Sequence, residues 1–392
     1  MPSQTLSGIT VLDLTSYIAG PFGATLLGDL GANVIKVESP SGDMMRNYPS
    51  TLVGESRAYV GVNRNKRGIV IDLKSKDGLE VIRRLIKKSD VIVHNFRPGV
   101  SRRLGLEYEQ LIDINPKIIY CGLTGFGETG PMASNPGFDQ VLQSLTGISQ
   151  AQGALENKPH VVWGSVVDYY SSSLLAMAVC AALYEREKTG KGQKINASLL
   201  RSALAMQSGR LVWGQNEDRN IERDLKGGKI NSIHPAKEGF IYLQAPTEDF
   251  WKSLCELIGL SSLSQDPRYD SMKKRKENEE ILLPMLHAAL QKKTALEWEQ
   301  HFGDRVPCSA VRSIEDMFDH PQVLSQGLIS THAHPTLGSY QTMTGPVQMA
   351  NGESDLADRR APMLGEHTDE ILKEFDFSDL EISAFKKSQA IH

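Results

Sequence analysis

Asp168 is the residue whose type and setting could most directly do chemistry, in the run Trp163-Gly-Ser-Val-Val-Asp168-Tyr-Tyr. A helix is expected from there to Glu187, because Leu174, Leu175, Ala178, Val179, Ala182 and Leu183 recur at helical spacing and Gly190 and Gly192 follow. A carboxylate at a helix start has two uses. It can cap the helix by accepting from a backbone N–H. It can also attack an activated carbonyl, with the helix dipole favouring its ionised form. Both readings stand on these residues alone.

Other residue types are informative by position. Asn65-Lys66-Arg67, Arg97 and Arg102-Arg103 fall near expected strand ends, where cations could hold phosphates or simply face water. Gly125, Gly127 and Gly130 have the spacing of a dinucleotide-binding turn. Pro131 and a polar loop follow them in place of a helix, so a turn without a nucleotide is expected. His332 and His334 are two apart in an expected strand and could share a face, but no third residue completes a metal site. Ser165 has no nucleophile-elbow setting. Cys121, Cys180, Cys255 and Cys308 are scattered and fit reduced thiols better than a disulfide frame.

The elements that must position these residues alternate. Strands are expected at 9–14, 33–38, 68–73, 90–95 and 117–122, with helices at 22–30, 75–88 and 108–114 between them. That alternation predicts a parallel sheet covered on both faces, with binding loops beyond the carboxyl ends of its strands. Past residue 210 the pattern changes. Residues 216–224 are polar and read as a linker, followed by a strand at 239–244 and helices at 247–260, 275–293 and 294–302. Residues 328–347 are strand-like, and 368–384 hold two short helical segments.

With 392 residues, two domains are expected. A net charge of -4 argues against broad binding to nucleic acid or to an anionic membrane surface. The polar N-terminus predicts no secretory signal, and no apolar run looks long enough to cross a bilayer. The cytoplasm or an organelle matrix is the expected location.

Several longer motifs occur in one order along the chain. They are Leu12-Asp-Leu-Thr with Ala19-Gly-Pro21, Gly31-Ala-Asn-Val-Ile-Lys-Val-Glu38, Asn63-Arg-Asn-Lys-Arg67 and Val93-His-Asn-Phe-Arg-Pro-Gly99. The Asp168 segment with Lys188-Thr-Gly-Lys-Gly-Gln193, then Val306-Pro-Cys308 and Pro362-Met-Leu-Gly-Glu-His-Thr368, complete the series. Together they resemble the successive signatures of the class III CoA-transferases. The resemblance implies an α/β fold: a large Rossmann-like parallel-sheet domain built from both chain ends (1–215 and 329–392) and a small α+β domain (225–328). It also implies an interlocked-ring homodimer. Asp168 falls on the family's catalytic aspartate, and Ile18, Ala19, Ile71, Lys74, Asn95, Phe96, Arg97 and Arg103 fall on its CoA contacts. CoA and acyl-CoA enter as substrates, with no permanently bound cofactor and no metal.

The departures sort the subfamilies. Ser39 stands where the family often has Arg, which weakens one contact to the nucleotide end. Phe138 replaces the His that racemases carry, and Pro136 a Lys of the formyl-CoA transferases. Their glycine-rich tongue is missing between Asp224 and Gly239. The implied reaction moves CoA from an acyl-CoA to a carboxylic acid through aspartyl anhydride and aspartyl-CoA thioester intermediates. The layout looks most like the succinyl-CoA-dependent dicarboxylate transferases, with Phe138, Asp139, Lys229, Asn231 and His234 expected at the acyl pocket. An acyl-CoA racemase and a non-catalytic CoA-binding protein are the alternatives.

Overall fold

The computed structural model describes residues 5–153, 158–218, 229–349 and 359–392. The apolar runs become strands β1 (Thr10–Leu14), β2 (Asn33–Glu38), β3 (Lys66–Val70), β4 (Val91–His94) and β5 (Ile119–Thr124), joined by β6 (Gln193–Ser198). They form one sheet in the order β3-β2-β1-β4-β5-β6, and every neighbouring pair is parallel. All four residues of β4 are buried, as expected of a central strand covered on both faces. The order reverses between β1 and β4, so the crevice between the loops leaving these two strands is the topological switch point, where such sheets bind ligands.

Four helices matter for the site: α1 (Ala19–Asp29), α2 (Lys76–Lys87), α3 (Asp139–Leu145) and α4 (Val166–Thr189). Ser75 caps α2, its hydroxyl accepting from Gly78 N at 2.9 Å. On one sheet face Val81, Ile82, Leu85 and Ile86 of α2 pack with Ile371, Leu372, Ile382 and Phe385 from the C-terminal helices Thr368–Glu374 and Asp379–Lys387. On the other, Ala24 and Leu27 of α1 pack with Leu175, Val179, Ala182 and Leu183 of α4. Both chain ends therefore build one core.

The chain divides into two compact units, Met1–Val212 with Ser325–His392, and Trp213–Leu324. The second holds an antiparallel sheet of β7 (Ile233–Pro235), β8 (Phe240–Leu243) and β9 (Cys308–Ala310). Helices Glu248–Leu257, Glu279–Leu290 and Ala295–Phe302 cover it, burying Trp251, Leu286, Trp298 and Phe302. Part of the expected linker 216–224 lies outside the described residues.

Several elements differ from expectation for physical reasons. β3 begins at Lys66, two residues before the apolar run, because Lys66 and Arg67 are buried strand residues. β6 carries almost no apolar signal because it is an edge strand, half-buried along most of its length. The helix expected over 275–293 breaks at Asn278 into Met272–Glu277 and Glu279–Leu290. Finally, α4 is long and apolar enough to cross a bilayer, contrary to the reading of the sequence. In the fold one of its faces is instead packed on α1 and the sheet.

Candidate active site

Asp168 is the third residue of α4. Ser165 precedes the helix at φ +59° and its side chain makes no cap. The cap comes from elsewhere in the chain. The Asp139 carboxylate, buried at the first turn of α3, accepts from Val167 N at 2.6 Å and Asp168 N at 3.1 Å through Oδ2. Its Oδ1 accepts from Gln143 Nε2, and Gln143 in turn binds Val162 N at 2.8 Å and Val162 O at 2.9 Å. This overturns the capping reading of Asp168. With the helix end already satisfied, the Asp168 carboxylate accepts no hydrogen bond and joins no ion pair among the described residues.

That carboxylate is half-buried. Burial, helped by the negative charge of Asp139, raises its pKa from 3.8 to about 7. The expectation that the helix dipole would keep it readily ionised is corrected. A dipole contributes roughly 0.3–1 kcal/mol, whereas each unit of pKa is worth about 1.4 kcal/mol. Burial and like charge win.

The start of α1 lies one helical turn from Asp168. Ser172 Oγ sits 2.7 Å from Ala19 O and 2.9 Å from Asp168 O. Gly20 is required here, since a Cβ would come within 2.4 Å of the Thr15 side chain. Ile18 is the residue before the helix and Ala19 is buried at its first position, so their N–H groups are at a helix start. Asn95, just after β4, clamps the neighbouring loop: its Oδ1 accepts from Ser16 N at 3.0 Å and its Nδ2 donates to Ser16 O at 2.7 Å. One side chain thus ties together the two loops of the switch point. Phe96 is fixed beside it, stacked on His94 with ring centroids 5.0 Å apart.

The other expected CoA residues separate into two groups. Lys74 and Arg97 are exposed in loops past the carboxyl ends of β3 and β4, and Arg103 is exposed on the short helix Val100–Leu104 that follows β4; the guanidinium groups of Arg97 and Arg103 make no hydrogen bond or ion pair among the described residues. The Ile71 side chain is fully buried and its backbone pairs with Ile391, so only its main chain is placed to meet a ligand. The cations Lys66 and Arg67 are neither phosphate ligands nor surface charge. Lys66 donates to Asp13 at 2.8 Å inside the sheet, and Arg67 pairs with Glu370 at 2.7 Å and Glu374 at 2.6 Å. Lys36 and Lys66 outweigh the burial of Asp13 and hold its carboxyl down at about 2. Arg102 pairs with Glu107.

The turn at Gly125–Gly130 serves packing. A Cβ on Gly125 would lie 2.8 Å from Gly137 Cα, so these two backbones touch. That contact places Phe138 and Asp139 at the head of α3. Phe138 is 47% exposed, its ring edge-on to Tyr17. Of the residues expected at the acyl pocket, Phe138 and Asp139 therefore adjoin Asp168. Lys229, Asn231 and His234 belong to the second unit. Lys229 is exposed and pairs with Glu279, and Asn231 Oδ1 accepts from Ala245 N. The His234 ring is buried and engaged through both nitrogens, by His287 at 3.2 Å and Ile230 O at 2.8 Å. His332 and His334 share a buried strand face against Tyr340.

Reading the sequence missed Gln143, Ser172 and Tyr17. The spacing of Asp139 and Gln143, one helical turn apart, was the available signal for the first.

The site can be set beside known proteins. A family model described as CoA-transferase family III matches residues 6–368. The chain is 35% identical over 383 residues to a succinyl-CoA:glutarate CoA-transferase of Homo sapiens, covering 95% of this chain and 86% of that protein. It is 33% identical over 387 residues to an acetyl-CoA:oxalate CoA-transferase of Acetobacter aceti, covering 95% and 96%. A crystal structure of a CAIB/BAIF family protein from Brucella suis matches with a TM-score of 0.83 at 29% identity, over 95% of this chain and 99% of that one.

Proposed function

We infer the reaction from one premise: the chain belongs to CoA-transferase family III and is an enzyme. It moves CoA from an acyl-CoA to a carboxylic acid, with Asp168 as the covalent nucleophile. The observation that carries this reading is the Asp168 carboxylate itself, which stands at a helix start capped by another residue and has no hydrogen-bond or ion-pair partner among the described residues.

The chemistry closes without cofactor or net proton. An Asp168 oxygen attacks the thioester carbonyl, the C–S bond breaks, and CoA leaves as thiolate from a mixed anhydride. The thiolate attacks the aspartyl carbonyl, releasing the donor acid and leaving an aspartyl-CoA thioester. The acceptor carboxylate attacks that thioester, expelling thiolate and forming a second anhydride. Thiolate then attacks the acceptor's acyl carbonyl, giving the new acyl-CoA and free Asp168. Each step exchanges one activated acyl bond for another, which is the benefit of covalent catalysis. The N–H groups at the start of α1 are suited to developing negative charge on the carbonyl oxygen. CoA is held by Ile18, Ala19, Lys74, Asn95, Phe96, Arg97 and Arg103.

The substrate class is a small dicarboxylate with succinyl-CoA as donor, a reading supported by the relatives named for glutarate and oxalate. Against a racemase stands Phe138, a ring with no exchangeable proton where a second base is needed. The working molecule is an interlocked homodimer.

Incubation with succinyl-CoA alone, then hydroxylamine, tests the nucleophile. Peptide mass spectrometry should find the hydroxamate at Asp168, and Asp168→Ala should retain its fold while losing roughly 10⁴-fold in exchange rate. A hydroxamate at Asp139 would overturn the assignment. Succinyl-CoA should transfer faster to glutarate than to pentanoate, and equal rates would remove the dicarboxylate class.

A further inference from the structure

The loop between β1 and α1 is held in a conformation that its sequence does not favour. Tyr17 has φ +70°, and it is the one aromatic residue with positive φ among the described residues. A bulky side chain in the left-handed region strains the backbone and persists only where its surroundings hold it. The surrounding side chains account for how it persists. Asp13 Oδ1 accepts from Thr15 N at 3.0 Å, and Lys36 Nζ donates to Thr15 O. Asn95 takes both backbone groups of Ser16. Asp43 Oδ1 accepts from Tyr17 N at 3.2 Å, while its Oδ2 is paired with Lys36 at 2.9 Å. Asp13, Lys36 and Asp43 are all buried, and burying ions is expensive unless each is paired and hydrogen-bonded.

What this clamp holds in place is one ring. The Tyr17 side chain is 40% exposed and meets Phe138 edge-on, with centroids 5.5 Å apart and planes at 79°. The residues flanking that pair are tied to Asp168 on both sides. Asp139, next to Phe138, binds Asp168 N, and Ala19, two residues past Tyr17, shares Ser172 with Asp168 O. The aromatic pair, set on a strained Tyr17 backbone beside the Asp168 carboxylate, belongs to no buried core, since both residues keep about two fifths or more of their surface open to solvent.

We propose that Tyr17, paired with Phe138, walls the acyl end of the Asp168 site and limits the size of the acyl group that reaches the carboxylate. The proposal rests on the transferase reading for its chemistry. Its ligand is the acyl portion of an acyl-CoA, with short unbranched chains admitted and groups branched by a ring at the carbon next to the thioester excluded. The hydroxyl plays no part, so a phenylalanine serves equally, whereas glycine removes the wall and relieves the backbone strain at once.

The test is isotope exchange between each thioester and its own labelled acid, with succinyl-CoA and 2-phenylsuccinyl-CoA as the pair. Tyr17→Gly should raise kcat/KM for 2-phenylsuccinyl-CoA relative to succinyl-CoA by about tenfold or more, and Tyr17→Phe should leave that ratio within about twofold. An unchanged ratio in Tyr17→Gly would overturn the proposal. If the wild type exchanges neither thioester, the transferase reading fails. Tyr17 is then judged by dissociation constants from calorimetry, where Tyr17→Gly must favour the phenyl compound by the same factor. Phe138→Ala opens the wall from its other side and should shift the ratio in the same direction, even if Tyr17→Gly does not fold.

Discussion

Asp168 is poised between two demands. A nucleophile must be ionised, but a carboxylate half-buried beside Asp139 resists ionisation, which is why its pKa lies at about 7. The acid limb of the exchange rate should therefore fall near pH 7, with activity rising as pH increases through it. Asp139→Asn keeps an acceptor for Val167 N and Asp168 N and removes the charge, so the limb should move to lower pH in a pH–kcat/KM profile. A limb unmoved by that change would leave burial as the sole cause. The same shift has a stability consequence of definite sign. A carboxyl whose pKa is raised on folding stabilises the fold below its unfolded value of 3.8, and that contribution is lost as pH rises through about 7. Asp168→Asn, which cannot ionise, should therefore be more stable than wild type above pH 7, by up to about 4 kcal/mol. The gain should vanish toward pH 4, and chemical denaturation at the two pH values measures it.

At the scale of elements, the sheet places its loops and the loops place the chemistry. The β1 and β4 loops meet at the switch point, where Asn95 binds both backbone groups of Ser16. Beyond that clamp the Arg97 and Arg103 side chains have no partner among the described residues, unlike Lys66 and Arg67, whose charges are already paired. Arg103→Ala should weaken CoA binding by about tenfold or more, the loss of one hydrogen bond to a charged group at about 1.5–3 kcal/mol. Calorimetry at two salt concentrations checks this, since the salt dependence should decline with the lost phosphate contact. A dissociation constant equal to that of wild type would make Arg103 mere surface charge.

For the whole molecule, both chain ends build one unit, and the second is formed by the residues between them in sequence. The first unit leaves Trp163 at 81%, Met177 at 63% and Tyr184 at 66% exposed. Met177 and Tyr184, seven residues apart on α4 and so on one side of it, suit a surface that another chain covers. If two chains are threaded through each other, they cannot part without unfolding. Light scattering should then give one species of twice 43.2 kDa that persists on dilution. A monomer peak growing with dilution would exclude the interlock.

The alternation of strands and helices was legible because it is written in neighbouring residues: apolar runs for β1, β2 and β4, and Ser75 and Thr247 as caps for the helices that follow them. So was Asp168, by its place at a helix start and within an ordered series of motifs. β6 was not, since an edge strand shows little apolar pattern. The fate of the charges was not legible either. Arg67 finds its acids at Glu370 and Glu374, His234 disappears into the core of the second unit, and Ile71 is covered by Ile391. Above all, that Asp168 does not cap its own helix was decided by Asp139, which satisfies the helix end from a separate helix and, with burial, raises the pKa of Asp168. Local structure follows from short-range sterics and periodic burial, which adjacent residues determine. The electrostatic state of a side chain follows from whatever faces it in space, and only the tertiary fold decides that.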